Sequence, residues 1–374
     1  MSTKTCPDFV AVLRHTGFAF YFFANLFSWC LCVLGVHSLS GQIETVETST
    51  QRFVWISHGR VEGHLAVRYS PAGAFSPDSS TLATVAGDKV VLMDLAQASV
   101  RKVLRPHLQG ITDLEIHSAN FLAPDRVFLL ATGIFLIKGK GSGGTTPLLA
   151  FQWEIERDAL SGKVNQVGAG GGFGPARYFA QIGYLALYKE SKFELWNPLS
   201  GLGGPITIPA LTRQPNVYEF SPDGHWLLLA QLEASSTADP VVVKLSEHQF
   251  VDSLRGHQGT VLSIAFSRDS KRVVTACEDG KLRIWSAPEW KLLATLQGHQ
   301  GAVHWAEFSP DGKWLVSAGE DKTVRIWSAE DAKLVQTLEE SQAPVLTAAF
   351  SPNGEFLAAS TEQTVHIWQR RRAE

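Results

Sequence analysis

Sulfur is scarce in this chain, with four cysteines and two methionines in 374 residues. Cys6, Cys30 and Cys32 fall in the first forty positions, so Cys277 stands alone afterwards and no disulfide framework holds that part together. Set among strand-type residues, Cys277 reads as a small buried apolar group. Paired-cysteine spacings, His-Glu-x-x-His and Gly-x-Ser-x-Gly are all missing, which removes the common zinc and serine-hydrolase signatures. No cofactor is expected and no metal ligand set stands out.

Charge of one sign is missing too: 33 Lys and Arg face 36 Asp and Glu, a net charge of −3. The one basic run is Arg370-Arg371-Arg372, read as a solvated tail over 370–374, so no clustered cation surface points to nucleic acid. The glycine clusters at Gly139 to Thr146 and Gly168 to Gly174 lack the residue order of a phosphate loop. The first reads as a long hairpin loop and the second as a link between units.

From Thr16 to Val36 there is no charged residue at all, a run long enough to span a bilayer. Lys4 and Arg14 precede it and no Lys or Arg follows until Arg52, a bias expected to place the N-terminus in the cytoplasm and the remainder outside. Ser38 and Ser40 supply small residues for a signal-peptidase site, whereas the run exceeds the roughly 7–15 residues of a signal core. Residues 1–40 are therefore expected to be a hydrophobic helix, either signal peptide or membrane anchor, with residues 16–36 as a possible tether. The expected location is extracytoplasmic, secreted or periplasmic, or membrane-anchored with the rest outside.

What the sequence does have is a repeat. Gly256 to Gln297 and Gly298 to Glu339 are near copies, with His257 and His299, Asp279 and Asp321, and Trp285 and Trp327 each 42 residues apart. Apolar runs at Val261 to Phe266, Arg272 to Ala276, Leu282 to Trp285 and Leu292 to Leu296 are of strand length and are divided by turn signals. Each copy is predicted to be a four-stranded antiparallel meander. Its polar residues fit a hydrogen-bonded chain ordered Trp, Ser or Thr, His, Asp, in which each group finds a partner. The sets are His257, Thr275, Asp279 and Trp285, then His299, Ser317, Asp321 and Trp327.

These residues, with Gly-His ahead of them and Phe308-Ser-Pro-Asp-Gly between, resemble the WD40 family, although Trp-Ser stands where that family has Trp-Asp. The resemblance implies that the His, Ser/Thr, Asp and Trp are structural and that the fold is an all-β, seven-bladed WD40-type β-propeller. Further landmarks are Phe75-Ser-Pro-Asp, Phe121-Leu-Ala-Pro-Asp, Tyr178-Phe179, Phe220-Ser-Pro-Asp-Gly and Phe350-Ser-Pro-Asn-Gly. They divide 41–369 into blades near 62–105, 106–167, 175–209, 210–255, 256–297, 298–339 and 340–369. The seventh blade runs out after its third strand, leaving an edge. Arg52 to Ser57, within a closing segment near 51–58, is predicted to fill it beside Thr364 to Trp368. Glu340-Ser341 and Ala359 interrupt the polar set there.

The resemblance also implies protein recruitment on the face where one blade leads into the next. There Trp305 replaces Ser263 and Thr347 of the neighbouring units, His304 lies beside it, and Glu278 and Glu320 precede the structural aspartates. Trp305, His304, Glu278 and Glu320 form the candidate partner face. The expected function is a non-enzymatic protein-interaction scaffold binding one or more proteins. The alternative is a propeller enzyme or small-ligand binder, lactonase-like or quinoprotein-like, with its site in the central channel.

Overall fold

The structure is a computed structural model that describes residues 53–62, 74–135, 148–168, 177–179, 184–189, 192–197, 203–206, 215–231, 239–339 and 341–372. The hydrophobic helix expected over residues 1–40 lies outside them, as do most of the two glycine clusters. Every regular element among the described residues is a strand. The strands form seven four-stranded antiparallel sheets, an all-β arrangement of β-propeller type.

Sheet I comprises Ala74–Phe75, Thr81–Ala86, Lys89–Asp94 and Ser99–Leu104; sheet II comprises Ile111–Ala123, Arg126–Phe135, Leu148–Glu154 and Ala159–Gly168. Sheet III holds Arg177–Phe179, Tyr184–Lys189, Lys192–Trp196 and Gly203–Ile206, and sheet IV holds Pro215–Phe220, Trp226–Gln231, Val241–Lys244 and Gln249–Ser253. Sheet V is Val261–Phe266, Arg272–Cys277, Lys281–Ser286 and Leu292–Gln297, and sheet VI is Val303–Phe308, Trp314–Gly319, Val324–Ser328 and Leu334–Leu338. Sheet VII takes Thr347–Phe350, Phe356–Ser360 and Thr364–Arg372 from the end of the chain and Phe53–Glu62 from its start.

Burial follows strand order. Arg272–Cys277 of sheet V is buried at all but its first residue, while the fourth strand, Leu292–Gln297, is mostly exposed. A strand covered on both faces needs a continuous apolar run, which is why Val273, Val274 and Ala276 stand together. Each sheet packs on the next: Leu92 of I and Phe121 of II share one core cluster, Phe193 of III and Phe220 of IV another, Ile284 of V and Trp327 of VI a third. Leu82 and Met93 of sheet I then pack against Val365 and Ile367 of sheet VII, so the succession returns to its start. Where the terminal Trp is replaced by Met93, apolar packing takes over, as it does around Leu245 in sheet IV.

The first-to-second-strand turns repeat one hydrogen-bond device. In sheet VI the Ser309 hydroxyl donates to Asp311 Oδ1 at 2.6 Å, the Lys313 amide donates to the same oxygen at 3.0 Å, and Ser309 Oγ accepts the Trp314 amide at 3.0 Å. Sheets I, IV, V and VII have the same arrangement at Ser76, Ser221, Ser267 and Ser351. The turn needs a left-handed residue, filled by Gly224, Gly312 and Gly354 in three sheets and by Ser79 and Ser270 in two. There the serine does extra work: Ser79 Oγ accepts the Asn353 amide of sheet VII, and Ser270 Oγ accepts the Asp223 amide of sheet IV, both at 3.1 Å. These turns define the Ser-turn end of the sheets; the Gly-His loops lie at the other.

Phe53–Glu62 pairs along its length with Thr364–Arg372, matching Trp55 to Arg370 and Phe53 to Arg372. Arg370 to Arg372 therefore extend the last strand, correcting the expectation of a basic tail; their backbone is held by ladder pairing. The Gln336 side chain of sheet VI clasps this closing strand, accepting from the Trp55 amide and donating to its carbonyl, both at 2.9 Å. On the other side His58 Nε2 reaches the Leu95 carbonyl of sheet I at 2.6 Å.

Candidate partner-binding face

Sheet VI builds the predicted polar chain. Trp327 Nε1 donates to Ser317 Oγ at 2.8 Å, Ser317 Oγ meets His299 Nε2 at 2.7 Å, and His299 Nδ1 meets Asp321 Oδ1 at 2.9 Å. All groups are matched when His299 carries its proton on Nδ1 and accepts the Ser317 hydroxyl at Nε2. Burial holds the His299 imidazole below its ordinary value, keeping it neutral. Burial would push Asp321 up, but the Gln300 amide, His299 and the Thr323 hydroxyl outweigh it and hold the carboxyl at about 2.

Sheet V departs from this. Trp285 Nε1 donates to Thr275 Oγ1 at 3.1 Å and Thr275 meets His257 Nε2 at 2.8 Å, but His257 Nδ1 turns to Asp239 Oδ1 at 2.9 Å. Asp239 sits two residues ahead of the third strand of sheet IV, and it also accepts the Gly256 and His257 amides. Asp279, expected as the last member, instead forms a buried ion pair with Arg283 at 2.7 Å. The reason lies 42 residues apart. A Cβ at Gly319 would come within 2.6 Å of His299 Nδ1 and 3.0 Å of Asp321 Oδ1, so the bond in sheet VI passes through space that only glycine leaves open. Sheet V has Cys277 there, fully buried, with its thiol pushed up to about 11 by that burial.

Trp305 is not the exposed rim residue expected. It is 7% exposed and packs with Val316, Ala318, Val345 and Ala348 between sheets VI and VII. Ser263 and Thr347, at the equivalent positions, are equally buried. A β-bulge between Val303 and Trp305 shifts the alternation by one residue and turns His304 outward instead. The same bulge recurs at Leu262 in sheet V, Asn216 in sheet IV and His117 in sheet II. No feature of the sequence pattern separates 304 from 305, because a bulge adds one residue without altering composition.

His304 Nε2 meets Glu320 Oε2 at 2.8 Å, while Glu278 Oε2 accepts the Thr260 amide at 3.1 Å. Both glutamates are exposed at the Gly-His end. The Val345 amide donates to the Gly319 carbonyl at 3.1 Å, joining this corner to the loop leading into sheet VII. There a recess of about 480 Å³ is lined by Gln342, Pro344, Leu346, Glu362, Gln363 and His366 among others. Leu346 lies 42 residues after His304, so the recess continues the same row of positions. Arg60 also lines it, so the arrangement offers carboxylate acceptors, the imidazoles of His304 and His366, a guanidinium and an apolar floor. Among the described residues, no group of three or more His, Cys, Asp or Glu is placed to hold a metal.

Residues 248–286, 290–328 and 332–369 match the family model of the WD domain, G-beta repeat, so the chain carries three consecutive WD40 repeats. Over 107 residues the chain is 30% identical to Coronin-7 of Pongo abelii, covering 27% of this chain and 12% of that protein. Over 117 residues it is 28% identical to Periodic tryptophan protein 2 of Saccharomyces cerevisiae, covering 30% and 11%. The aligned stretch thus spans only about a tenth of these relatives' own length.

Proposed function

We propose that this WD40-repeat chain is a seven-bladed propeller that serves as a non-enzymatic protein-interaction scaffold, extracytoplasmic or tethered to a membrane through residues 16–36. The observation that carries the binding site is the row at the Gly-His end of sheets VI and VII. His304, turned out by its bulge against Glu320, stands one repeat before Leu346, which lines the recess. Carboxylates beside an apolar pocket fit a protein segment with a basic group next to an apolar side chain. The three WD40 repeats coincide with this row, and protein recruitment is the usual task of such repeats.

Charge reversal at the rim tests the reading. Glu320→Lys with Leu346→Asp, both at partly or fully exposed positions, is expected to lower partner recovery in affinity capture at least tenfold while thermal unfolding stays unchanged. Equal recovery by a folded variant would overturn the site. Fractionation of the producing cells tests the location: recovery in the cytoplasmic fraction would overturn the export reading.

A further inference from the structure

Five of the nine exposed large apolar side chains among the described residues are concentrated on three consecutive sheets. Leu292 and Leu293 open the outer strand of sheet V, Leu334 and Val335 open that of sheet VI, and Ile56 lies in the outer strand of sheet VII. Sheet IV adds Val251 in its outer strand, and sheets I, II and III show one such residue each, which needs no explanation. In the first two cases the second residue of the pair is the extra one of a β-bulge, between partners Ile284 and Trp285 or Ile326 and Trp327. The bulge turns the side chain off the ladder, and in Leu293 it reaches 56% exposure, the highest of the nine.

Position and charge narrow the occupant. In antiparallel sheets these strand starts share one end, the Ser-turn end, and the Gln336 clasp on Trp55 brings Val335 near Ile56. Exposed lysines, Lys291 and Lys333, immediately precede the two apolar pairs. Arg371 and Arg372, both exposed, pair with Val54 and Phe53 at the same end. The acidic groups here are Glu289, Glu330, Asp331 and Glu355, of which Asp331 is occupied by Lys333 at 3.0 Å. The chain also enters the fold at this point: residues 37–52 join Phe53 to the uncharged run ending at Val36.

We propose that this edge, the Ser-turn end of the outer strands of sheets V, VI and VII, rests on an anionic lipid bilayer surface. Leu292, Leu293, Leu334, Val335 and Ile56 enter the interface between headgroups and acyl chains, and Lys291, Arg371 and Arg372 meet lipid phosphates. The membrane would then approach the sheets from the side, leaving the Gly-His end open to a protein partner. The inference rests on the membrane-tethered form of the reading above, and it concerns residues that the partner site does not use.

The test is hydrogen exchange on the full-length protein mixed with vesicles of phosphatidylcholine alone or with about a third phosphatidylserine. Amides of 291–294 and 333–336 are expected to exchange at least fivefold more slowly with the anionic vesicles, and those of 159–161 in sheet II at an unchanged rate. Leu293→Glu with Val335→Glu should abolish the slowing and leave partner capture intact. Unchanged exchange at 291–294 in a chain that still sediments with the vesicles would overturn this edge alone. Protection that rises with protein concentration in the absence of lipid would overturn it in favour of a second copy of the chain.

Discussion

At the scale of single residues, the two repeats differ most instructively at Gly319 and Cys277. A side chain at 319 has no room beside His299 and Asp321, so Gly319→Ala is expected to break their bond and cost about 2–4 kcal/mol, read from urea unfolding. Asp239→Ala should weaken the polar chain of sheet V as Asp321→Ala weakens that of sheet VI. Asp279→Ala acts through Arg283 instead, leaving a cation buried without its carboxylate. The pH dependence has one sign throughout. Burial lowers His257 and His299, so the unfolded chain takes up protons first; their contribution is complete above the unfolded value of 6.5 and fades as pH falls through the folded value. Asp321 adds a contribution present above 3.8 and lost on descent to about 2. The urea midpoint should therefore fall continuously from pH 7 to pH 3, and a midpoint that rises over that span would refute the assignment.

At the scale of elements, strand length and order in sheets V and VI are written in the apolar runs, because each strand has its own run and its own turn residues. The bulges are not. Trp305 reads as a rim residue because a large aromatic replaces the small polar Ser263 and Thr347 of its neighbours; all three positions are buried, and the bulge after Val303 presents His304 instead. The partner of His257 was unreadable for a different reason: Asp239 belongs to another repeat, and only packing brings it near. Arg52 to Ser57 had strand composition, yet nothing in its sequence named Gln336, whose amide imitates a neighbouring strand by matching both backbone groups of Trp55. Gln336→Leu should accelerate amide exchange over residues 53–56 by about tenfold, the equivalent of roughly 1.4 kcal/mol, while exchange in sheet III stays constant.

At the scale of the molecule, the first described strand completes the last sheet, so the fold's two ends depend on each other. A chain beginning after Glu62 would leave Thr364–Arg372 as an open edge and is expected to unfold at lower temperature and to aggregate, as light scattering would show. The same interdependence sets a task for Cys277. Beyond residue 40 it is the one thiol, it lies fully buried at the edge of the second strand of sheet V, and burial keeps it protonated at neutral pH. A disulfide reagent can reach it only when the structure around it opens. Its labelling rate, measured without any denaturant, is thus a clock for rare openings around sheet V: a rate that rises when Gln336 is replaced would mean that the clasp at sheet VII is felt two sheets away.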